Sequence, residues 1–446
     1  MLKNVWLFIF VNIFSVSALG FDSVKLSQYI DALNDNKKAM FSLAILKDGE
    51  PIYQKSVGFV DIASRQKANK DTQYHIGSIT KVFTSTMIFQ LIDEGKLSLD
   101  SKLAVYYPNV KNADKITISM LLNHRSGIFN FTRSDDYTQY MTEPKTRVEM
   151  VRLIEGLDSD FEPGSQGSYS NSAYVLLGFI IEDITKDSYA NQLQRRIADK
   201  LDLERTSFAG PINVKDNQAN SYTLRSQQWE PASETDMSIP FSAGAIISTP
   251  TEVGVFLTHL FKGKLLSAAS LTKIKEINQG FGRGLFKFPF YQKTAYGHSG
   301  GIDGFVSQTG YFDADNTVFT LTANGLDYKL NDISIGVLSI YYGLPFDIPD
   351  FTQKPISLPE SELAKYQGVF ASQDIPLKIT IKVENGKLMA QATGQGPFVL
   401  TPFSNSEFRF APAGIAMLFG LDDGSVDYRR FQLKQGGGNY NFTKDK

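Results

Sequence analysis

Strand-like segments bracket a long helical middle, and this limits the chain to folds in which one sheet is assembled from distant parts of the sequence. Residues 24–38 carry a helical period, and the stretches 41–47 and 52–57 flank Asp48-Gly49, a dipeptide suited to a tight hairpin. From about 78 to 260 the period is mostly helical, broken by polar loops at 130–143 and 158–168. Strand character returns at 283–287, 305–312 and 317–322, with Asp313-Ala314-Asp315-Asn316 as a turn, and residues 331–342 read as a closing helix. The expected class is α+β: an antiparallel sheet flanked by helices, a helical subdomain packed beside it, and a site at their junction.

The two ends carry different information. Lys3 followed by an apolar run from Val5 to Phe14 and a small-residue cluster ending at Gly20 reads as a secretory leader, so residues 1–20 are expected to be removed and the chain exported. The run is too short to span a bilayer, and no later segment is apolar for long enough. Cysteine is absent, which rules out disulfides, thiolate metal ligation and a cysteine lipid anchor. The formal net charge of −2 becomes −3 when Lys3 leaves with the leader, so there is no basic field for nucleic acid or an acidic membrane. A small-molecule or peptide substrate fits that balance, and the oligomeric state is open.

Toward the other end, Pro345, Pro349, Pro355 and Pro359 mark an extended linker at 345–360, after a main domain expected at 21–344. The period then becomes alternating: Leu377, Ile379, Ile381 and Val383 are interleaved with polar residues, and Asn385-Gly386 turns the chain before Leu388. Further short strands without helical interruption make 361–446 a small all-β domain, a barrel or sandwich, with no catalytic constellation of its own.

Chemistry concentrates at Ser78-Ile79-Thr80-Lys81. Behind it Val82, Phe83, Met87, Ile88, Leu91 and Ile92 recur at the spacing of an amphipathic helix, with Gly95 as its stop. Residues i and i+3 share a helical face, so the Lys81 amine can reach the Ser78 hydroxyl, and the helix N-terminus aims backbone N–H groups at any oxyanion formed there. Ser-x-x-Lys also occurs at Ser64/Lys67, in a polar turn, and at Ser270/Lys273, late on a surface helix; neither has an apolar helix behind it.

Tyr169-Ser170-Asn171 follows the Gly/Ser-rich loop 164–168, where side chains can enter a cleft. A phenol relays a proton when a nearby ammonium lowers its pKa, and an asparagine amide orients a carbonyl, but the tripeptide gains meaning only beside Ser78 and Lys81. Gly297-His298-Ser299-Gly300-Gly301 matches the G-x-S-x-G elbow of another hydrolase class. That elbow needs a histidine after its serine, and none follows His298. His75, His124, His259 and His298 have no metal-ligand spacing, so no metal or cofactor is expected. His75 reads as structural and His259 as a helix residue facing core or solvent.

Taken together and in this order, Ser78-Ile79-Thr80-Lys81, Tyr169-Ser170-Asn171 and His298-Ser299-Gly300 resemble the class C β-lactamase and D-alanyl-D-alanine peptidase superfamily. Supporting stretches are Gly95 to Asp100, Leu121 to Gly127 and Ser242 to Thr249, and the similarity covers 24–342; the tail is similar to the small lipocalin-like β domain appended to many members. The resemblance implies that Ser78 attacks an amide or ester carbonyl, that Lys81 and Tyr169 share its proton, and that an acyl-enzyme forms. It implies an oxyanion hole from the backbone N–H groups of Ser78 and Gly301. Substrate binding would fall to Asn171, His298, Ser299 and Gly300, with no metal.

His298 stands where many relatives place a lysine. A histidine of ordinary pKa is mostly neutral near pH 7, which weakens the hold on a substrate carboxylate and points to the esterase and D-aminopeptidase branches. The expectation is an exported serine hydrolase of a bacterial envelope, periplasmic or extracellular, acting on small ester, amide or D-amino-acid peptide substrates. The alternatives are a penicillin-binding-like envelope protein with little or no turnover, and a weak β-lactamase.

Overall fold

The computed structural model describes residues 21–410, 414–435 and 438–445, so the expected leader at 1–20 lies outside the described residues. In chain order its principal elements are α1 (Ser23–Asp35), β1 (Ala39–Lys47), β2 (Glu50–Val57), α2 (Thr80–Asp93), α3 (Asn171–Thr185), β3 (Tyr222–Arg225), β4 (Gln228–Pro231) and α4 (Pro250–Phe261). After these come β5 (Phe286–Phe290), β6 (Lys293–Ile302), β7 (Phe305–Phe312), β8 (Thr317–Leu326) and α5 (Leu330–Tyr341).

The strands form one sheet in the order β5-β6-β7-β8-β1-β2, all antiparallel, so the N-terminal hairpin closes onto strands from the far side of the helical region. The join is a long ladder from Ala39↔Leu326 to Lys47↔Thr317. The short β3 and β4, unexpected from the sequence, add to it through Tyr222↔Gly325 and their own hairpin.

Alternation along β1 feeds two cores. Phe41, Leu43 and Ile45 point to a layer of α1 and α5, where Leu26, Tyr29, Ile30, Ile333 and Val337 complete the packing. Ala44 and Leu46 point the other way, into the larger core with α2, α3 and α4. Asp22 starts α1 by accepting from the Lys25 amide, and its buried residues recur at helical spacing. Burying each large side chain of these faces contributes roughly 1.5–3 kcal/mol before entropy is charged.

The helix behind Ser78 departs from the amphipathic expectation: every residue of α2 from Thr80 to Leu91 is buried. It runs through the middle of the larger core, and its buried hydroxyls at Thr84, Ser85 and Thr86 are satisfied internally, whereas the Gln90 side-chain oxygen is buried without a partner. Thr84 donates to the Ser242 carbonyl at 2.7 Å, Thr86 to the Val82 carbonyl at 2.8 Å, and Ser85 bonds to the Tyr174 hydroxyl at 3.1 Å. A helix apolar on several faces and neutral on the rest belongs inside a protein.

Beyond residue 343 the chain has no helix or strand until Glu360, and a closed barrel of eight strands follows from Gly368–Ser372 to Gly438–Lys444. Side chains fill its interior: Tyr366, Phe370, Phe408, Met417, Phe419, Phe431 and Phe442 are all buried in one cluster. Edge-to-face contacts of Tyr366 with Phe408 and Phe419, at 4.7 and 4.9 Å, lock the centre. The barrel meets the rest of the chain through Lys434 and Asp347, 2.9 Å apart, and through the Ile356 amide, which donates to the Pro402 carbonyl at 2.9 Å.

Candidate active site

Ser78 lies in a single 3-10 turn, Gly77–Ile79, that leads directly into α2. This turn packs against β6. Strand β5 pairs with β6 only over residues 293–297, so 298–302 present an open edge toward the turn. Asp303-Gly304 joins β6 to β7, with Ile302 opposite Phe305, and ladder alternation then directs the Gly301 N–H and C=O outward along that edge. Ser299 and Gly301 are exposed while His298 and Gly300 are buried, as the same alternation requires.

Two glycines permit the close approach. A Cβ on Gly300 would sit 2.1 Å from the Ile76 carbonyl oxygen, and one on Gly77 would sit 2.8 Å from the Gly301 nitrogen. Gly77 also has φ +50°, in the left-handed region. Ser307 on β7 ties the same carbonyl down with a 2.8 Å bond from its hydroxyl. The Gly301 amide is thereby held beside the turn that carries Ser78.

Lys81 is fully buried, yet its amine meets three oxygens: Ser78 Oγ at 3.0 Å, Asn171 Oδ1 at 2.8 Å and the Ala243 carbonyl at 2.7 Å. None of them is a carboxylate, so burial goes uncompensated and pushes the amine well below the usual lysine range. Asn171 is the first residue of α3, behind the N-cap Ser170, and its Nδ2 donates to Thr132 Oγ1 at 3.1 Å. The expectation from the sequence gives this side chain to the substrate amide. In the structure its oxygen holds Lys81, and its nitrogen anchors the loop at 130–143.

Tyr169 precedes that cap. Its hydroxyl shares a hydrogen bond with the Ser78 side chain, and its ring lies 4.9 Å from the Lys81 nitrogen. The ring keeps part of its surface toward the crevice, but the hydroxyl end is desolvated, and burial raises its pKa above the ordinary 10 despite the hydrogen bond shared with Ser78. This corrects the expectation that an ammonium lowers it, because the lysine is itself driven toward its neutral form.

His124, with its ring 4.3 Å from that of Tyr169, accepts from the Ser170 amide at 3.1 Å through Nδ1, so its proton resides on Nε2. Burial, reinforced by Lys81 and His298, holds its pKa well below the usual value. His298 packs against Phe286 at 4.9 Å and Tyr169 at 6.2 Å. Its Nδ1 faces the Ser299 carbonyl, its Nε2 has no partner, and burial together with Lys81 lowers its pKa to about 3. The imidazole is therefore held in its neutral form near neutral pH.

The competing sequence candidates are occupied elsewhere. Ser270 donates to Asp93 at 2.7 Å and Lys273 pairs with Glu276 at 3.0 Å, while Ser64 is exposed in a turn. Ser299 lies within β6 rather than on a strand-to-helix elbow. Among the described residues no cluster of three or more His, Asp or Glu could hold a metal ion, and no helix is long and apolar enough to cross a membrane. A cavity of about 620 Å³ bordered by Arg147, Phe179, Phe208 and Phe241 includes none of Ser78, Lys81 or Tyr169 in its walls.

Sequence reasoning missed three contributors: the Ala243 carbonyl, the Thr132 hydroxyl and the His124 ring. A backbone carbonyl leaves no trace in residue identity. His124 and Ala243 do lie in stretches that carry the family resemblance, the only signal that could have found them.

Comparison with known proteins adds an independent line. The beta-lactamase family model matches residues 26–335. The D-amino acid amidase from Ochrobactrum anthropi SV3, in complex with D-phenylalanine, superimposes with a TM-score of 0.63 at 26% identity, over 72% of this chain and 99% of that one. A teichoic acid D-alanine hydrolase from Staphylococcus aureus (strain MRSA252) is 26% identical over 298 residues, 66% of this chain and 73% of that protein. The octameric penicillin-binding protein homologue from Pyrococcus abyssi shares the fold, with a TM-score of 0.66 at 22% identity over 95% of this chain and 100% of that one.

Proposed function

Because the chain belongs to the beta-lactamase family, we propose that it is a serine hydrolase that cleaves esters or amides of small D-amino acids through an acyl-enzyme on Ser78. One observation carries the reading. A neutral amine has two N–H donors and one lone pair, and the Asn171 oxygen and the Ala243 carbonyl can only accept. With both donors committed to them, the lone pair of Lys81 is left for the Ser78 hydroxyl, 3.0 Å away. A buried, neutral lysine is then a general base already aimed at its nucleophile.

Attack by Ser78 Oγ on the substrate carbonyl passes the hydroxyl proton to Lys81. The oxyanion is received by the backbone N–H groups of Ser78 and Gly301. Tyr169, a phenol that stays protonated because burial disfavours its anion, hands a proton to the leaving oxygen or nitrogen and is reprotonated by Lys81, which gives up the proton taken from Ser78. Water then attacks the acyl-enzyme along the same route in reverse, releasing the acid and restoring Ser78.

The substrate class is drawn from relatives named for D-amino acid amide and teichoic acid D-alanine hydrolysis, and from the neutrality of His298. A neutral imidazole offers no charge to a carboxylate beside the scissile bond, so penicillins bind weakly, and a molecule such as D-alanine amide or a D-alanyl ester is preferred. The leader-like sequence at 1–20 supports a location outside the cytoplasm, in the envelope. Purified protein should release D-alanine from D-alanyl esters or amide faster than L-alanine from the enantiomers, with turnover abolished in Ser78→Ala. Undiminished turnover in that variant would exclude the assignment.

A further inference from the structure

The turn that ends the open edge of β6 holds a carboxylate that no cation balances. Asp303 lies two residues beyond Gly301 with φ +53°, and accepts from the Thr235 amide at 3.1 Å and the Thr235 hydroxyl at 2.6 Å. No lysine, arginine or histidine among the described residues pairs with it. Partial burial raises its pKa against the lowering effect of the Thr235 hydrogen bonds, and Glu234, of the same sign, adds to the rise. A half-buried carboxylate left without a positive partner costs stability, so its retention calls for a reason. Its oxygens have more acceptor positions than the two Thr235 donors fill.

The placement says what the missing partner is. A substrate whose carbonyl oxygen sits against the Gly301 amide lies along residues 298–302, and Asp303, which opens the turn two residues on, is at most about 6.6 Å further along. From a carbonyl carbon to the nitrogen on the next carbon is about 2.5 Å, and a charge-assisted N–H···O bond adds about 2.8 Å. Together with the short aspartate side chain these lengths bridge the gap. The geometry points to Asp303 as the subsite for the α-ammonium of an aminoacyl substrate, a specificity residue that selects acyl groups bearing a positive charge next to the carbonyl. Thr235 fixes the carboxylate, and Tyr137 of the loop at 130–143 flanks it through its own hydrogen bond to Thr235.

This inference rests on the proposed hydrolysis at Ser78, and its test separates the two. Full-length mature protein and its Asp303→Asn variant, which keeps an acceptor for Thr235, are assayed on two p-nitrophenyl esters that differ only in the α-amino group, D-alanyl and propionyl. Loss of one charged hydrogen bond should raise KM for the D-alanyl ester about tenfold to a hundredfold. Propionyl turnover should not change, and the melting temperature should not fall. An equal loss on both esters would make Asp303 a structural clamp for Thr235 and overturn the inference, as would no loss on either. If wild-type protein cleaves only the propionyl ester, the ammonium subsite fails while Ser78 chemistry stands; if it cleaves neither, the hydrolytic reading fails and takes this one with it.

Discussion

Replacing Asn171 by aspartate changes one atom's identity and reverses the logic of the site. The Asn171 oxygen lies 2.8 Å from the Lys81 amine, and a full negative charge there stabilises the ammonium by about 6 kcal/mol at an effective dielectric constant of about 20. That is equivalent to about four pKa units, upward for the lysine. Part is lost because the new carboxylate is itself desolvated, so a shift of about two units or more is the working expectation. The base must be neutral to act, so a raised pKa moves the acidic limb of the rate profile to higher pH. The assay is kcat/KM for a nitrophenyl ester between about pH 5 and pH 10. The Asn171→Asp variant should lose at least about tenfold at pH 7 and recover toward its plateau in alkali. Asn171→Ala, which removes an acceptor without adding charge, should lose rate with little displacement of the limb. Equal losses in both variants and an unmoved limb would refute the reasoning, since the proton would then not reside on Lys81.

Two further substitutions probe the supports of the site. Both ring nitrogens of His75 are buried without a partner, and burial lowers its pKa to about 4. Between that value and the ordinary 6.5 the unfolded chain takes up a proton that the folded protein refuses, so stability falls as pH drops through this window and levels off below it. At pH 5 the loss from His75 is about 2 kcal/mol, and urea unfolding of His75→Leu should lack it; identical acid sensitivity in the two proteins would contradict this. Gly77→Ala forces a Cβ into a left-handed residue 2.8 Å from the Gly301 nitrogen. It should cost about 1–3 kcal/mol in thermal unfolding and reduce kcat more than it raises KM, and unchanged turnover would remove Gly301 from the oxyanion site.

The sequence was most legible where local and tertiary demands coincide. The hairpin at Asp48-Gly49, the strand Phe305–Phe312 and the barrel hairpin at Asn385-Gly386 follow from turn residues and alternation, and no long-range contact opposes them. Ser78 and Lys81 were readable because i, i+3 spacing survives even though a 3-10 turn precedes the helix. Strand β6 was not readable as a strand, because Gly297, Gly300 and Gly301 resemble a loop. The first two are there because a Cβ would meet the Thr309 carbonyl at 1.9 Å and the Ile76 carbonyl at 2.1 Å. The strand expected at 283–287 begins at Phe286, because Arg283 instead pairs with Glu276 and bonds Ser119. Burial on all sides of α2, and the resulting pKa directions of Lys81 and Tyr169, depend on neighbours contributed by α3 and the Ser242-Ala243 turn. No window of sequence contains them together.

The account depends on the Lys81 amine being neutral while it rests against Ser78. NMR of protein carrying isotope-labelled lysine, with the Lys81 resonance assigned by its absence from a Lys81→Met variant, reads that protonation state directly. The predicted result is one lysine whose signals are those of a free amine at neutral pH, titrating well below the others. A Lys81 resonance that stays an ammonium up to the ordinary lysine range, with Ser78 still reactive, would contradict it.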